Sequence, residues 1–358
     1  MISRKRILVA PLDWGLGHAT RCIPIIRQLV LINAEVILAA DKGPLALLKD
    51  EFPQLEFIVL PGYNISYPRK VSLGISMLWQ VPKVFLAIYR EHKQLKTIIK
   101  EKNIDAVISD NRYGLWSKTI PCVFITHQLH IKSPWGKNIL QKINSQFISK
   151  YNECWVPDFE GSNNLSGELS HKQHIPRETY FIGPLSRFTK SIFPEEKGYD
   201  ILAVLSGPEP QRSVFENIIL NELRSTNHKC LIVQGIPQEK ETKKISENIE
   251  MVSHLNSKEL NRTICTSELI LSRPGYSTIM DLAILDKKAI FIPTPGQTEQ
   301  EYLAKKLKSE KVAFSIEQNK FNLIEAISET VHYNGFHMIY PPQKILEERI
   351  RNLLNGAN

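Results

Sequence analysis

The 358-residue chain reads as an α/β protein built from two Rossmann-like domains in tandem. Three observations predict this. The length exceeds the ~250–300 residues at which one hydrophobic core stops growing, so two domains are the default. Short apolar runs alternate with helix-length segments through the first half, as expected for strands buried on both faces of a parallel sheet. The alternation then restarts after a polar stretch, so two β/α halves of similar size are expected to face each other across a cleft.

The strand candidates of the first half are RILVAPL (6–12), EVILAAD (35–41), EFIVLP (56–61), DAVISD (105–110), CVFITHQ (122–128) and ECWVPD (153–158), with helices expected at 19–32, 77–101 and 135–150. Residues 160–177 are polar and turn-rich, and the linker is expected near 184–198. Strand signals return at DILAVLSG (200–207), KCLIVQG (229–235), IEMVSHL (249–255), SELILSR (267–273) and KAIFIPTP (288–295). The terminal PPQKILEERIRNLLN reads as a helix docking back on the first domain. The expected division is therefore 1–188, 189–340 and a returning helix at 341–358.

Composition narrows the class. Hydrophobic residues make up 42% and charged residues 23%, which excludes disordered and collagen-like chains. The cysteines Cys22, Cys122, Cys154, Cys230 and Cys265 form no C-x-x-C and no close Cys/His pairing, so free thiols are expected, with no metal site. The start MISRKRILVAPLD is basic, but its apolar run is short and ends at Asp13, unlike a secretory signal. No run of ~18 apolar residues could span a bilayer. A cytoplasmic protein is the expectation. Residues 69–102 hold eight Lys/Arg against Glu91 and Glu101, six of the net eight positive charges of the chain, so the basicity is regional. No zinc-finger, RRM or helix-turn-helix pattern accompanies it, and nucleic-acid binding is not expected.

The turn LDWGLGHATR (12–21) lies between a strand and a helix signal. It lacks the third glycine of a dinucleotide loop, which falls on Thr20, and only Asp41 offers a ribose partner. In the alternative, Gly15 and Gly17 admit a substrate and His18, at a helix N-terminus, serves as general base, since its ordinary pKa lies near working pH. The turn alone does not separate that role from a structural cap. Asp13 is a candidate orienter or substitute base, and His127, at another strand end, is the second histidine candidate beside the substrate.

The second half carries a nucleotide-type signal. A buried strand runs into Arg273-Pro274-Gly275, and a helix opens near Ser277 and Thr278, offering free N–H groups to a phosphate. Asp281, one turn on, could accept both hydroxyls of a ribose. The loop SGPEPQR places Gly207 and Arg212 at another helix start, suited to a diphosphate. TPGQTEQEY supplies Gln297, Gln300 and Glu301 for sugar hydroxyls. Each loop by itself is also compatible with an ordinary strand–turn–helix; together they follow three strands of one sheet.

These motifs resemble the GT-B glycosyltransferases of the family 28 type, and in particular the bacterial family of the N-acetylglucosaminyltransferase of peptidoglycan lipid synthesis. The resemblance implies that Gly15, Gly17 and His18 lie beside the acceptor and that Arg273, Gly275 and Asp281 belong to the donor site. It also implies that Gln300 and Glu301 read the donor sugar, with Glu replacing the second glutamine of the family. The diphosphate loop of the family, Gly-Gly-Ser-Gln-Gly-Ala-Arg, matches only Gly207 and Arg212. The helix-like stretch SLGISMLWQVPKVFLAIYREHKQLK, with Trp79, Phe85 and Leu86 among its basic residues, corresponds to the membrane-contact patch of the family. Such a mix supports peripheral binding to anionic lipid, although Met77, Leu78, Val81, Phe85 and Ile88 also have the spacing of a core face.

The expected chemistry is transfer of a sugar from a UDP-linked donor, UDP-GlcNAc by resemblance, to a hydroxyl acceptor, with a lipid-linked sugar, a diacylglycerol, a polymer end and a soluble small molecule as the alternatives. A single inverting displacement is expected, with His18 as base and with Arg212, Arg273 and backbone N–H groups meeting the departing diphosphate. No D-x-D motif occurs, in keeping with a metal-independent, cofactor-free enzyme of the cell envelope. A UDP-sugar epimerase of the same fold and a non-catalytic nucleotide-sugar binder are the alternatives.

Overall fold

A computed structural model describes residues 4–63, 73–132, 136–172, 175–191, 193, 198–207, 209–336 and 344–356; for 73–81 and Lys137 it describes the helix but not the side chains. Arg69 and Lys70 of the basic region, and the side chains of Met77, Leu78, Trp79 and Val81, lie outside the described residues.

The chain divides into two compact units, Met1–Leu185 with Pro341–Asn358, and Ser186–Tyr340. The division falls three residues before the boundary expected from sequence. The reason is local: Ser186 donates to Asp281 at 2.5 Å and Arg187 to Ser257 Oγ at 3.3 Å, so both residues pack with the second unit.

The first unit contains β1 (Arg6–Pro11), α1 (Leu16–Leu31), β2 (Glu35–Ala40), α2 (Lys42–Glu51), β3 (Glu56–Val59), α3 (Leu73–Lys102), β4 (Ala106–Asp110), β5 (Cys122–Ile125), α4 (Lys137–Ile148), β6 (Glu153–Val156) and β7 (Thr179–Phe181). Its sheet runs β3-β2-β1-β4-β5-β6-β7 and every pairing is parallel. Residues 7–10 of β1 and 106–108 of β4 are wholly buried, which explains their unbroken apolar character. Asp41, the candidate ribose partner of a dinucleotide reading, instead caps α2 by accepting from Lys42 N at 2.9 Å.

The second unit contains β8 (Ile201–Val204), α5 (Gln211–Leu223), β9 (Cys230–Val233), β10 (Thr242–Lys244), β11 (Ile249–Val252), α6 (Ser257–Thr266), β12 (Leu269–Ser272), α7 (Tyr276–Leu285), β13 (Ala289–Phe291), α8 (Thr298–Ser309), β14 (Phe314–Ser315) and α9 (Leu323–Glu329). Its sheet order is β10-β11-β9-β8-β12-β13-β14, parallel except for the exposed edge strand β10. The polar sequence of β10, TKK, gave no strand signal. Helix starts follow their sequence cues: Asn256 and Glu259 form a reciprocal capping box at α6, and Asn322 caps α9.

The final helix, α10 (Lys344–Asn355), groups with the first unit. It buries Leu346, Ile350 and Leu353, and Arg349 stacks 3.6 Å from the Tyr180 ring while pairing with Glu153. In each sheet the strand order reverses beside the first strand of the unit, at β1/β4 and at β8/β12. Ligands of open α/β sheets bind at such points, beyond the carboxyl ends of the strands.

Candidate active site

In the first unit, the parallel register sets Pro11 of β1 beside Asp110 of β4. Leu12 N donates to Asp110 O at 3.0 Å, so the glycine turn leaves the sheet next to that carboxylate. Gly15 adopts φ +96, a conformation for which glycine is suited, while a Cβ there would meet nothing within 4 Å. Its glycine is required by backbone geometry rather than by crowding. The helix begins at Leu16, earlier than the sequence suggests, which puts His18 inside its first turn.

His18 meets Asp110 rather than Asp13. Its Nδ1 lies 2.9 Å from Asp110 Oδ1 and 2.9 Å from Arg21 Nη2. One nitrogen cannot donate to the first and accept from the second. Arg21 Nη2 already donates to Asp110 Oδ1, and its Nε donates to Oδ2. A bare Nδ1 would set its lone pair against the carboxylate, whereas an Nδ1–H adds a charge-assisted bond to it. The proton therefore belongs on Nδ1 and the lone pair on Nε2. Burial, and then the Arg21 charge, lower the His18 pKa from 6.5, against the opposing pull of Asp110. The ring is neutral at pH 7.

Arg21 and Asp110 form a buried ion pair, 2% and 0% exposed. Burial alone would raise the Asp110 carboxyl, but the charges and hydrogen bonds of Arg21 and His18 override it and hold it at about 2. Arg21 Nη1 lies 3.1 Å from His127 Nδ1. A guanidinium only donates, so Nδ1 of His127 accepts and its proton sits on Nε2. One arginine thus joins both candidate histidines, which carry opposite tautomers.

Asp13 is placed elsewhere, which corrects its expected role as orienter. Its Oδ1 accepts from Tyr63 N at 3.2 Å, and its carboxylate packs on Gly62 so closely that a Cβ there would lie 1.8 Å from Asp13 Cγ. That strand end is itself fixed. Buried Arg112 donates to Leu60 O and Pro61 O and pairs with buried Glu91 of α3, which also accepts from Tyr63 Oη at 2.9 Å.

The exposed face of α3 carries Phe85, Leu86 and Tyr89, at 41%, 47% and 67% exposure, while Ile88 packs with Leu12 and Tyr63. Of the spacing read as a core face, Ile88 is core and Phe85 is not.

In the second unit, the three expected loops follow the adjacent strands β8, β12 and β13. Gly207, at φ +106, turns the chain out of β8 towards α5. Arg212 is engaged on both sides, by Glu209 and by Glu216 Oε2 at 3.0 Å. Gly275 precedes α7 without a side-chain cap, and Ser277 and Thr278 occupy the first turn. Arg273 departs from expectation. It is 1% exposed, donates to Ile292 O at 2.8 Å and to Gln318 Oε1, and lies 3.9 Å from the Phe215 ring centroid. It braces the sheet and is not presented to a ligand.

Asp281 is half-buried rather than solvated, with Oδ1 accepting from Ser186 Oγ. Burial pushes its carboxyl up from 3.8 to about 6, against the Arg187 charge and the Ser186 hydrogen bond. Gln300 Oε1 accepts from Thr294 N at 2.8 Å and Glu301 Oε1 from Gly296 N at 2.7 Å, so both shape the loop that carries them; Gln297 is the N-cap position of α8. Gln211 Oε1, at the start of α5, and Ser272 Oγ, at the end of β12, are buried without a hydrogen-bond partner among the described residues. Orphaned polar atoms at a strand-order reversal suit a site completed by a polar ligand.

Sequence reasoning missed Arg21, Asp110 and Ser186. Two of them carried a signal: Arg21 stands three residues after His18 on one helix face, and Asp110 is the charged end of a buried strand.

The sequence model of the glycosyltransferase family 28 C-terminal domain matches residues 211–344. Curated relatives extend the likeness over most of the chain. The UDP-N-acetylglucosamine--N-acetylmuramyl-(pentapeptide) pyrophosphoryl-undecaprenol N-acetylglucosamine transferase of Listeria welshimeri is 24% identical over 314 residues, 84% of this chain and 83% of that one. The protein of the same name from Buchnera aphidicola is 24% identical over 89% of this chain and 87% of its own length. Among solved structures, the glycosyltransferase SnogD from Streptomyces nogalater aligns with a TM-score of 0.65 at 12% identity, covering 98% of this chain and all of the other. MurG of Acinetobacter baumannii aligns at 0.54 and 15% identity, covering 99% and 95%. At these identities the structures speak to the fold, and the two parallel-rich sheets have the GT-B architecture. The family 28 match falls on the unit whose loops bear phosphate-type features, and relatives named as transferases align along more than four-fifths of the chain: this protein is a glycosyltransferase of GT-B fold whose second unit is similar to the family 28 C-terminal domain.

Proposed function

We propose that the first unit binds a hydroxyl acceptor and the second a UDP-sugar, UDP-GlcNAc by likeness to the relatives, and that the sugar moves in one inverting displacement. The observation that carries the reading is the 2.9 Å His18–Asp110 contact in a chain whose other unit is a family 28 C-terminal domain. His18 Nε2 takes the acceptor proton as the oxygen attacks the anomeric carbon, and Asp110 stabilises the imidazolium that forms. The bond from the anomeric carbon to the diphosphate oxygen breaks, and the charge passes to UDP. Backbone N–H groups at the starts of α5 and α7, together with Arg212, meet that charge. Asp281 accepts the ribose hydroxyls; Gln297, Gln300 and Glu301 read the sugar. His127, a donor at Nε2, orients the acceptor alongside Gly15 and Gly17.

The acceptor we infer is lipid-linked. Exposed Phe85, Leu86 and Tyr89 on α3, with Lys83 and Arg90 beside them, suit peripheral contact with an anionic inner membrane surface. Among the described residues, no helix is long and apolar enough to cross a membrane.

Thermal stability measured against UDP and a panel of UDP- and dTDP-sugars, without added metal, tests the donor assignment, since a ligand that binds only the folded state raises its stability. Selective stabilisation by one UDP-sugar supports the reading, and no response to any nucleotide sugar refutes it. Incubation of that UDP-sugar without acceptor separates the epimerase alternative, which alone would convert it.

A further inference from the structure

The loop entering α5 has an unusual composition for an anion site. In SGPEPQR, Glu209 stands two residues before the helix, and its carboxylate folds back over the helix start. Its Oε2 accepts from Ser213 N at 3.3 Å and its Oε1 from Ser213 Oγ at 3.0 Å and from Arg212. These are one of the free N–H groups of the helix, the adjacent hydroxyl and the guanidinium that would hold a diphosphate. Burial works to raise the Glu209 carboxyl, but Ser213 and Arg212 outweigh it and keep it below the ordinary range, so it is ionised at neutral pH. Beside it, the buried Gln211 amide oxygen has no partner among the described residues, and this amide can rotate to offer its NH2 to an anion.

We propose that Glu209 is a specificity-determining residue, an internal anion that occupies the diphosphate place at the start of α5 and yields it only to a ligand carrying a diphosphate. The proposal rests on the reading of the second unit as the nucleotide-sugar domain. The Glu209 carboxylate and a phosphate would compete for the same donors, Arg212 Nη2 and Ser213 N and Oγ, and two anions side by side at that helix start repel one another. Displacement is feasible because the Glu209 side chain is 54% exposed and swings into water, whereas Arg212 is 14% exposed and stays anchored by Glu216, itself held by Gln234 at 2.9 Å. A nucleoside, or a monophosphate that stops short of α5, leaves Glu209 in place and gains nothing there. A diphosphate replaces one carboxylate with more charge and more acceptor oxygens. After transfer the carboxylate returns as UDP departs, so that neither Arg212 nor the helix start is left bare, and product release is eased.

The test is calorimetric titration of the full chain and of Glu209→Gln and Glu209→Ala with UDP, UMP and uridine, each variant first checked for an unchanged melting curve. Both variants are expected to bind UDP about fivefold more tightly, the combined size of an exposed ion pair and one charge at a helix terminus. Uridine and UMP are expected to change by less than about twofold, and UDP dissociation, followed by stopped flow, is expected to slow. Equal or weaker UDP binding by both variants, with measurable binding by the unsubstituted chain, overturns the proposal and leaves the donor site standing. Equal tightening for uridine overturns it too, since the effect would not be read through the phosphates. An unsubstituted chain that binds no UDP overturns both the proposal and the reading beneath it.

Discussion

Asp281→Asn should make the protein more stable and less able to bind its donor. Asp281 lies in α7 with Oδ1 2.5 Å from Ser186 Oγ, and burial raises its carboxyl from 3.8 to about 6. In the unfolded chain the group titrates near 3.9, at about its model-peptide value. Below about pH 4 both states are protonated and the group contributes nothing to pH dependence. Between about 4 and 6 the folded state binds more protons than the unfolded state, so stability falls as pH rises. Above about 6 both states are ionised and the folded protein bears the full cost of a half-buried carboxylate. A gap of about two pH units at about 1.4 kcal/mol each sets a ceiling of about 3 kcal/mol. Partial exposure screens the charge, so about 1–2 kcal/mol is the expected cost. Asparagine has nearly the same shape, can still accept from Ser186 and carries no charge. For a unit of this size the gain corresponds to roughly 2–6 °C in melting temperature. Thermal scans at pH 4 and pH 7.5 measure it: the variant should melt higher at pH 7.5 and level with the unsubstituted chain at pH 4, while its UDP affinity falls. A variant that melts lower at pH 7.5, or higher by the same amount at both pH values, would refute the argument.

His18→Ala should lower kcat by about 10²–10⁴-fold, the usual worth of a general base, while UDP still raises the melting temperature; unchanged turnover would remove His18 from the chemistry. Because burial and Arg21 lower its pKa from 6.5, the acid limb of kcat/KM should have its midpoint below 6.5, as a pH–rate profile will report. Asp13→Asn should change kcat by only a few-fold, whereas Asp110→Asn should abolish most turnover and, by leaving Arg21 buried without its counter-charge, cost about 3–5 kcal/mol of stability by denaturant titration. The reverse ranking of these two variants would show that Asp13 is the orienting carboxylate.

The sequence by itself determined the architecture: apolar runs such as ILVA in β1 and AVIS in β4 are local, and only strands buried on both faces explain them. It also located the loops, because glycines after strand ends and polar residues opening helices are short-range features. What it could not supply were partners distant along the chain. Asp110 reaches His18, 92 residues away, only because β4 pairs with β1 in the register that aligns Asp110 with Pro11. Ser186, in the segment after β7, meets Asp281 of α7 across 95 residues, a contact that no local pattern announces. The sequence also assigned a charged residue beside a glycine turn, Arg273, to the ligand, whereas packing turned it inward to Ile292 O, Gln318 and the Phe215 ring. Side-chain direction at a strand end depends on which helices cover the sheet, and that is decided by the tertiary structure.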